Sequence, residues 1–193
     1  QLREEIGTAA KELLAAASSV DDVSIRAVAD AVGVSQPSIY LHFADKNELV
    51  AAVVAGVFTE LDAAMLGAAS DAAGPMEKLR DYGLAYVRFA VEHPEHYRIM
   101  FMRREDHRPE QYAAEKVLET GLFGAVLPVV QQGIDEGRFR AELTDPLLVA
   151  WVLWMGVHGI TAAAVAMPNF PAPLIEVQLD ATVDALLHGL LAD

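Results

Sequence analysis

Cysteine is absent from this 193-residue chain, and basic residues are scarce. Without cysteine the chain has no disulfide bond, no thiolate nucleophile and no cysteine-ligated zinc. Only 14 Lys and Arg stand against 28 Asp and Glu, which gives a formal net charge of −14. Because nucleic-acid-binding proteins are usually basic, any such surface on this protein must be local.

Other signals are missing as well. The sequence has no glycine-rich phosphate loop, no serine nucleophile elbow and no alternating strand pattern between hairpin turns. Helical periodicity dominates instead, so we expect an all-α fold. No charged-then-apolar leader appears at the start of the sequence, and we therefore expect a cytoplasmic protein. We also expect no cofactor.

Two short helices joined by a tight turn are predicted between residues 24 and 43. Ser24 is suited to cap the first helix, and Gly33 tolerates the left-handed backbone that ends it. Ser35 is suited to cap the second helix, and Pro37 falls in its first turn, where a missing amide hydrogen costs nothing. Helix, tight turn and helix together form the layout of a DNA-reading helix-turn-helix.

The outward face of the second helix is small, neutral and polar. Ile39 and Phe43 are expected to face inward, which leaves the other side chains to meet a major groove. These outward residues have little use in a core, yet most can hydrogen-bond to bases or phosphates. They are Gln36, Pro37, Ser38, Tyr40 and His42.

Residues 24 to 49, SIRAVADAVGVSQPSIYLHFADKNEL, resemble the DNA-binding region of TetR-type repressors. The resemblance implies that residues matching Ser35 to Ser38 approach base edges. It also implies that those matching Ser24, Tyr40, His42 and Lys46 hold phosphates. With Arg26 added for its charge, the expected DNA-binding residues are Ser24, Arg26, Ser35, Gln36, Pro37, Ser38, Tyr40, His42 and Lys46.

Even this segment is not basic overall. Residues 1–50 contain four cations and eight carboxylates. We therefore expect Arg26 and Lys46, joined by Arg3, to form a small cationic patch around the reading helix.

The domain boundary is expected near residue 46, with a helix-turn-helix DNA-binding domain at 1–46 and a helical ligand-binding and dimerisation domain at 47–193. A long helix over residues 46–69 should link them. Further helices are expected at 75–92 and at 109–136, the second kinked by Pro128.

A run without Lys, Arg, Asp or Glu extends from residue 146 to 175. Its length would span a bilayer, but His158 and two prolines argue against that. We expect it to pair with a last helix from Pro173 and to form a four-helix interface between two subunits. Trp154, His158 and Gly159 resemble a Trp-His-Gly subgroup of TetR-type C-terminal domains.

Aromatic and methionine side chains along these helices are candidates for lining a ligand pocket. The candidate ligand-binding residues are Tyr82, Tyr86, Phe89, Tyr97, Phe101, Trp151, Trp154, Met155 and His158.

The sequence thus predicts a homodimeric transcriptional repressor that binds a near-palindromic double-stranded DNA operator, is released by a small-molecule effector and does not enter a membrane. Two alternatives stay open. One is a helical ligand-binding dimer that does not read DNA. The other is a metal-dependent enzyme, whose candidate residues are His93, Glu95 and His96, or Glu105, Asp106 and His107.

Overall fold

The computed structural model describes residues 1–71, 73–102, 123–167 and 171–191, with the side chains of 102, 172, 173, 175 and 176 left out. Across this part of the chain the structure is helical, and its one β-bridge joins Phe139 to Leu191. The all-α prediction is confirmed. The helices are α1 (Leu2–Ala16), α2 (Ile25–Val32), α3 (Gln36–Tyr40), α4 (Lys46–Ala68), α5 (Pro75–Glu92), α6 (Pro94–Tyr97), α7 (Val126–Asp135), α8 (Pro146–Ala166) and α9 (Ala172–Leu190).

The described residues form two compact units. The head comprises residues 1–59 and 95–102, and the body comprises 60–71, 73–94, 123–167 and 171–191. The expected boundary at residue 46 between the DNA-binding and ligand-binding domains stays a prediction, since the compact units are defined by packing and not by function.

Apolar side chains from α1, α2 and α3 form the core of the head. Ile6 and Leu14 of α1, Val28 of α2 and Ile39 of α3 are almost fully buried. Each lies on the apolar side of its own helix, and their burial stabilises the head.

Local sequence signals set the ends of α2. The Ser24 hydroxyl accepts a hydrogen bond from the amide of Ala27 at 3.1 Å. Gly33 ends the helix with a φ of 77°, which a residue with a Cβ rarely adopts. Both predictions are confirmed.

The cap of α3 differs from the prediction. Ser35 occupies the capping position, but its hydroxyl makes no hydrogen bond to a backbone amide of that helix. It pairs instead with the Ser38 hydroxyl, at 2.8 Å between the two oxygens. Pro37 lies in the first turn, as expected.

The body packs α5, α8 and α9 together. Arg80 of α5 forms ion pairs with Asp180, at 2.9 Å, and with Asp184, both on α9. A Cβ at Gly156 would clash with the side chain of Leu186, so glycine allows α8 and α9 to approach closely here.

The kink expected at Pro128 is not seen in the described residues. Pro128 is the third residue of α7, where it interrupts no helical hydrogen bond. The earlier part of the expected 109–136 helix, to residue 122, lies outside the described residues.

Two helices, Lys46–Ala68 and Pro146–Ala166, are long and apolar enough to cross a membrane by length and composition alone. Core helices of soluble proteins have the same properties, so this finding does not separate the two cases.

Candidate DNA-reading surface and ligand cavity

The reading helix, α3, presents its polar face as the sequence predicts. Ile39 is fully buried, whereas Gln36 and Pro37 are exposed and Tyr40 is 51% exposed. Ser38 and His42 are half-buried at the edges of this face. Because the helix is held from below by one buried side chain, its outer face is free to enter a groove.

Leu41 is a surface residue that the sequence interpretation missed. It follows the last residue of α3 and is 84% exposed, next to Tyr40. Exposure of a large apolar side chain to water is unfavourable. In the major groove, apolar side chains can contact the methyl group of thymine. The signal was available in the sequence, because Leu41 lies between two residues assigned to the DNA-facing side.

Each cation expected near the reading helix already has a carboxylate partner. Arg26 Nε lies 3.7 Å from Asp30, and Lys46 Nζ lies 3.7 Å from Asp21. Both pairs are weak, since at least one member of each is largely exposed to water. The expected patch of cations is therefore a set of ion pairs.

Arg3 makes three contacts within the head. Its guanidinium lies 4.2 Å from the centre of the Phe43 ring, donates to the carbonyl oxygen of His42 and is 3.6 Å from Glu48. These contacts fasten α1 to the segment between α3 and α4. Glu48 also accepts a hydrogen bond from the amide of Ala44, and its own amide donates to the Asp45 carboxylate at the start of α4.

The body contains a cavity whose empty space, part of it open to solvent, is about 550 Å³. Among the candidate ligand residues, Tyr82, Tyr86 and Trp154 line it. Its described walls are Met65, Leu79, Tyr82, Gly83, Tyr86, Phe123, Val126, Ala150, Leu153, Trp154, Val157, Val183, Leu186 and Leu187.

Two candidates stand directly behind this wall. The His158 ring stacks on Trp154, with 4.4 Å between ring centres, and its Nδ1 lies 2.8 Å from the Tyr86 hydroxyl oxygen. Trp151 packs edge-on against Trp154 at 5.1 Å. Burial lowers the pKa of His158, which favours a neutral ring at pH 7.

The remaining candidates lie elsewhere. Phe89 is buried in the body beside the His93 ring, at 5.2 Å, and is not among the lining residues. Tyr97 and Phe101 belong to the head, where their rings are 5.0 Å apart. Met155 is 60% exposed and also lies outside the lining.

The hydroxyl of Tyr82 is protonated at neutral pH. Burial, followed by the charge of Asp71, raises the pKa of this phenol. This tyrosine of the wall can therefore take part in hydrogen bonds as a neutral group.

Comparison with known proteins identifies the family. Residues 6–53 match the bacterial regulatory proteins of the tetR family, and residues 79–190 match the Tetracyclin repressor-like C-terminal domain. The chain belongs to the TetR family. It is thus a DNA-binding transcriptional regulator with a helical ligand-binding C-terminal domain, rather than an enzyme.

Individual relatives agree with this assignment. The HTH-type transcriptional repressor KstR2 of Mycobacterium tuberculosis is 29% identical over 142 residues, which cover 70% of each chain. A Rhodococcus sp. RHA1 protein of unknown function is 26% identical, with a TM-score of 0.76 over 100% of this chain and 96% of that one. A tetR family transcription regulator from Shewanella sp. PV-4 shares the fold at 16% identity, with a TM-score of 0.77 over 100% of both chains.

The finer likeness to the Trp-His-Gly subgroup stays a prediction. Of the residues proposed for a metal-dependent enzyme, Glu105, Asp106 and His107 lie outside the described residues.

Proposed function

We propose that this protein represses transcription by binding a near-palindromic operator as a homodimer, and that a small molecule bound in the body releases it. The observation that carries the proposal is the outward face of α3. Gln36 and Tyr40 project from it into solvent while Ile39 holds the helix in the core. Two copies related by a two-fold axis would meet grooves about 34 Å apart, or a multiple of that spacing.

The roles that we assign to single residues are those that the resemblance to TetR-type repressors implies. Ser35, Gln36, Pro37 and Ser38 begin the reading helix, where side chains reach base edges. Ser24, Tyr40, His42 and Lys46 contact phosphates, and Arg26 supports them by charge. To do so, Arg26 and Lys46 exchange the carboxylates they hold in this structure for phosphates.

The homodimer forms through one apolar strip, which we call the dimer strip. Leu148, Val152 and Met155 recur along one side of α8 and are 51%, 36% and 60% exposed, and Leu174 and Val177 of α9 are 45% and 65% exposed. Covering such residues is favourable by about 25 cal/mol per Å² of apolar surface. If a partner subunit covers this strip in the cytoplasm, the long apolar helix α8 does not require a membrane.

Ligand release acts through α4. This helix runs from Lys46 to Ala68, so its residues belong to both the head and the body. A ligand that favours one arrangement of the body shifts the population of heads able to hold two half-sites at once. The functional boundary then lies near residue 46, at the start of that helix.

The proposal is tested on an operator selected from random duplexes by the purified protein. We expect the triple variant Gln36→Ala, Ser38→Ala, Tyr40→Ala to lose sequence-specific binding, measured by fluorescence polarisation, while light scattering shows an unchanged dimer. A triple alanine variant at the exposed residues Gln131, Gln132 and Glu136, at the C-terminal end of α7, is the control. Intact operator binding by the α3 variant would contradict the proposal and favour a ligand-binding dimer that does not read DNA.

A further inference from the structure

We propose that the body cavity accepts an effector, or a part of an effector, that is uncharged and largely apolar. The inference rests on the proposed function only in naming the occupant an effector. Its physical basis is the composition of the wall.

The described part of the wall offers very little to a charge. Among the described lining residues, the side-chain polar atoms are the hydroxyls of Tyr82 and Tyr86 and the indole nitrogen of Trp154. None of the described lining residues is an aspartate, glutamate, lysine, arginine or histidine. A carboxylate or ammonium group placed there would give up its hydration without an opposite charge in return. Such an exchange is strongly unfavourable.

Two of these residues, Tyr86 and Trp154, contact the same histidine ring. The Tyr86 hydroxyl is held 2.8 Å from Nδ1 of His158, and that ring stacks on Trp154. Since burial lowers the pKa of His158, the ring supplies no steady positive charge at pH 7 to attract an anion. A hydroxyl or carbonyl group of the effector is therefore expected to lie near Tyr86, with its hydrocarbon part against the aliphatic residues of the wall.

The size of the cavity is also informative. Its empty space of about 550 Å³ is partly open to solvent, so it has room for a small molecule or for part of one. Leu79, Leu153, Val183 and Leu187 give the wall a large aliphatic surface. A flexible chain or a single ring system suits such a surface as well as a flat aromatic molecule does.

Matched probes that differ only in charge test the inference directly. The first set is 1-octanol, octanoate and octylamine, and the second is 4-phenylbutanol, 4-phenylbutyrate and 4-phenylbutylamine. The chain has two tryptophans, Trp151 and Trp154, and both belong to the body, so tryptophan emission excited at 295 nm reports binding near the cavity. We expect each alcohol to bind at least about tenfold more tightly than its charged relatives at pH 7.5.

Two variants place the signal in the cavity. Ala150→Leu adds methyl and methylene groups to the wall and should weaken alcohol binding at least about fivefold, while Ala166→Leu, at the exposed end of the same helix, should leave it unchanged. If Ala150→Leu does not fold by circular dichroism, Leu153→Phe serves in its place. Binding of an anion or a cation as tight as that of its alcohol overturns the inference, and so does the absence of saturable binding by both alcohols.

Failure of the inference can be told apart from failure of the proposed function. Release of a labelled operator duplex is followed by polarisation in the same titrations. Tight alcohol binding without release supports the apolar site and counts against ligand-controlled repression by that site. Release by a carboxylate at concentrations where the alcohols do not bind supports control by a ligand and refutes the uncharged occupant.

Discussion

The hydroxyl oxygen of Tyr86 on α5 lies 2.8 Å from Nδ1 of His158 on α8. This contact joins the two helices behind the cavity wall, and the His158 ring continues it by stacking on Trp154. One titratable ring thus supports two of the aromatic side chains that an effector would touch.

His158 should make the folded protein less stable in acid. Burial lowers its pKa, so the folded state takes up a proton less readily than the unfolded chain, whose histidine titrates near 6.5. The stability that depends on a neutral ring is fully present above about pH 6.5 and is lost as the pH falls below it. His158→Gln keeps a hydrogen-bonding partner for Tyr86 without titrating, and it should reduce the loss of melting temperature between pH 7.5 and 5.5. An identical loss in both proteins would contradict this account, and His188→Gln, on the exposed side of α9, is the control.

Asp62 on α4 has the opposite dependence on pH. Burial raises its pKa to about 6, above the unfolded value near 3.9. Its protonated form therefore stabilises the fold below about pH 4, and that contribution is lost as the pH rises through 6. We expect Asp62→Asn to increase the free energy of unfolding by about 1–3 kcal/mol at pH 7.5, with the gain shrinking toward pH 4 in denaturant titrations. A gain that does not change with pH would show that the effect is not electrostatic, and the exposed Glu142→Gln is the control.

Removing a carboxylate beside the reading helix should strengthen DNA binding. Asp30 holds Arg26 at 3.7 Å with both side chains more than two-thirds exposed, at 78% and 71%. Asp30→Asn frees two cations per dimer and removes two negative charges, so we expect operator affinity to rise about two- to tenfold at low salt. The gain should diminish as salt is added, because the Debye length shortens. Glu142→Gln makes the same change of charge in the body, and an equal gain from it would point to net charge instead of the ion pair.

Leu41 should contribute to sequence preference through an apolar contact. We expect Leu41→Ala to lower operator affinity by about 1 kcal/mol per subunit or less, and to do so only where a thymine methyl is present. Replacing each operator thymine in turn with uracil removes that methyl. At the contacted thymine, uracil should cost the native protein affinity and cost the Leu41→Ala variant nothing. Equal sensitivity of both proteins at every thymine would rule the contact out.

A charge placed in the dimer strip should separate the subunits. Met155 is 60% exposed in the single chain, so Met155→Asp ought to leave the fold of one subunit intact while burying two carboxylates in any symmetric interface. We expect monomers in sedimentation equilibrium, native helicity by circular dichroism and loss of operator binding. Gln178→Asp, exposed on α9 beside Val177, tests how far the interface extends, and a stable Met155→Asp dimer would exclude the proposed strip.

The head was predictable because its signals are local. Ser24 caps α2 by accepting a hydrogen bond from the amide three residues later, and Gly33 ends the same helix by adopting a positive φ. The pairing of Lys46 with Asp21 was not predictable, since the residues are far apart in sequence and only the packed head brings their side chains within 3.7 Å. Leu41 was missed because apolar side chains were assumed to face inward.

The body was harder to interpret for a different reason. The α8 helix has no charged residue to mark its outer side, so periodicity could not tell that Met155 is exposed while Trp154 lines the cavity. Tyr97 and Phe101 continue the aromatic pattern of α5 along the chain, yet they belong to the head. Sequence periodicity assigns a side chain to a face of its helix but does not say which unit that face packs against.

The carboxylates that hold Arg26 and Lys46 also bear on how such a regulator finds its target in a chromosome. Random DNA, which outnumbers any operator by about a million sites or more, offers only phosphates, and here phosphates must compete with Asp30 and Asp21 for those cations. Because each pair is weak, the exchange lowers the affinity for random DNA only modestly, and correspondingly fewer molecules are held away from the operator.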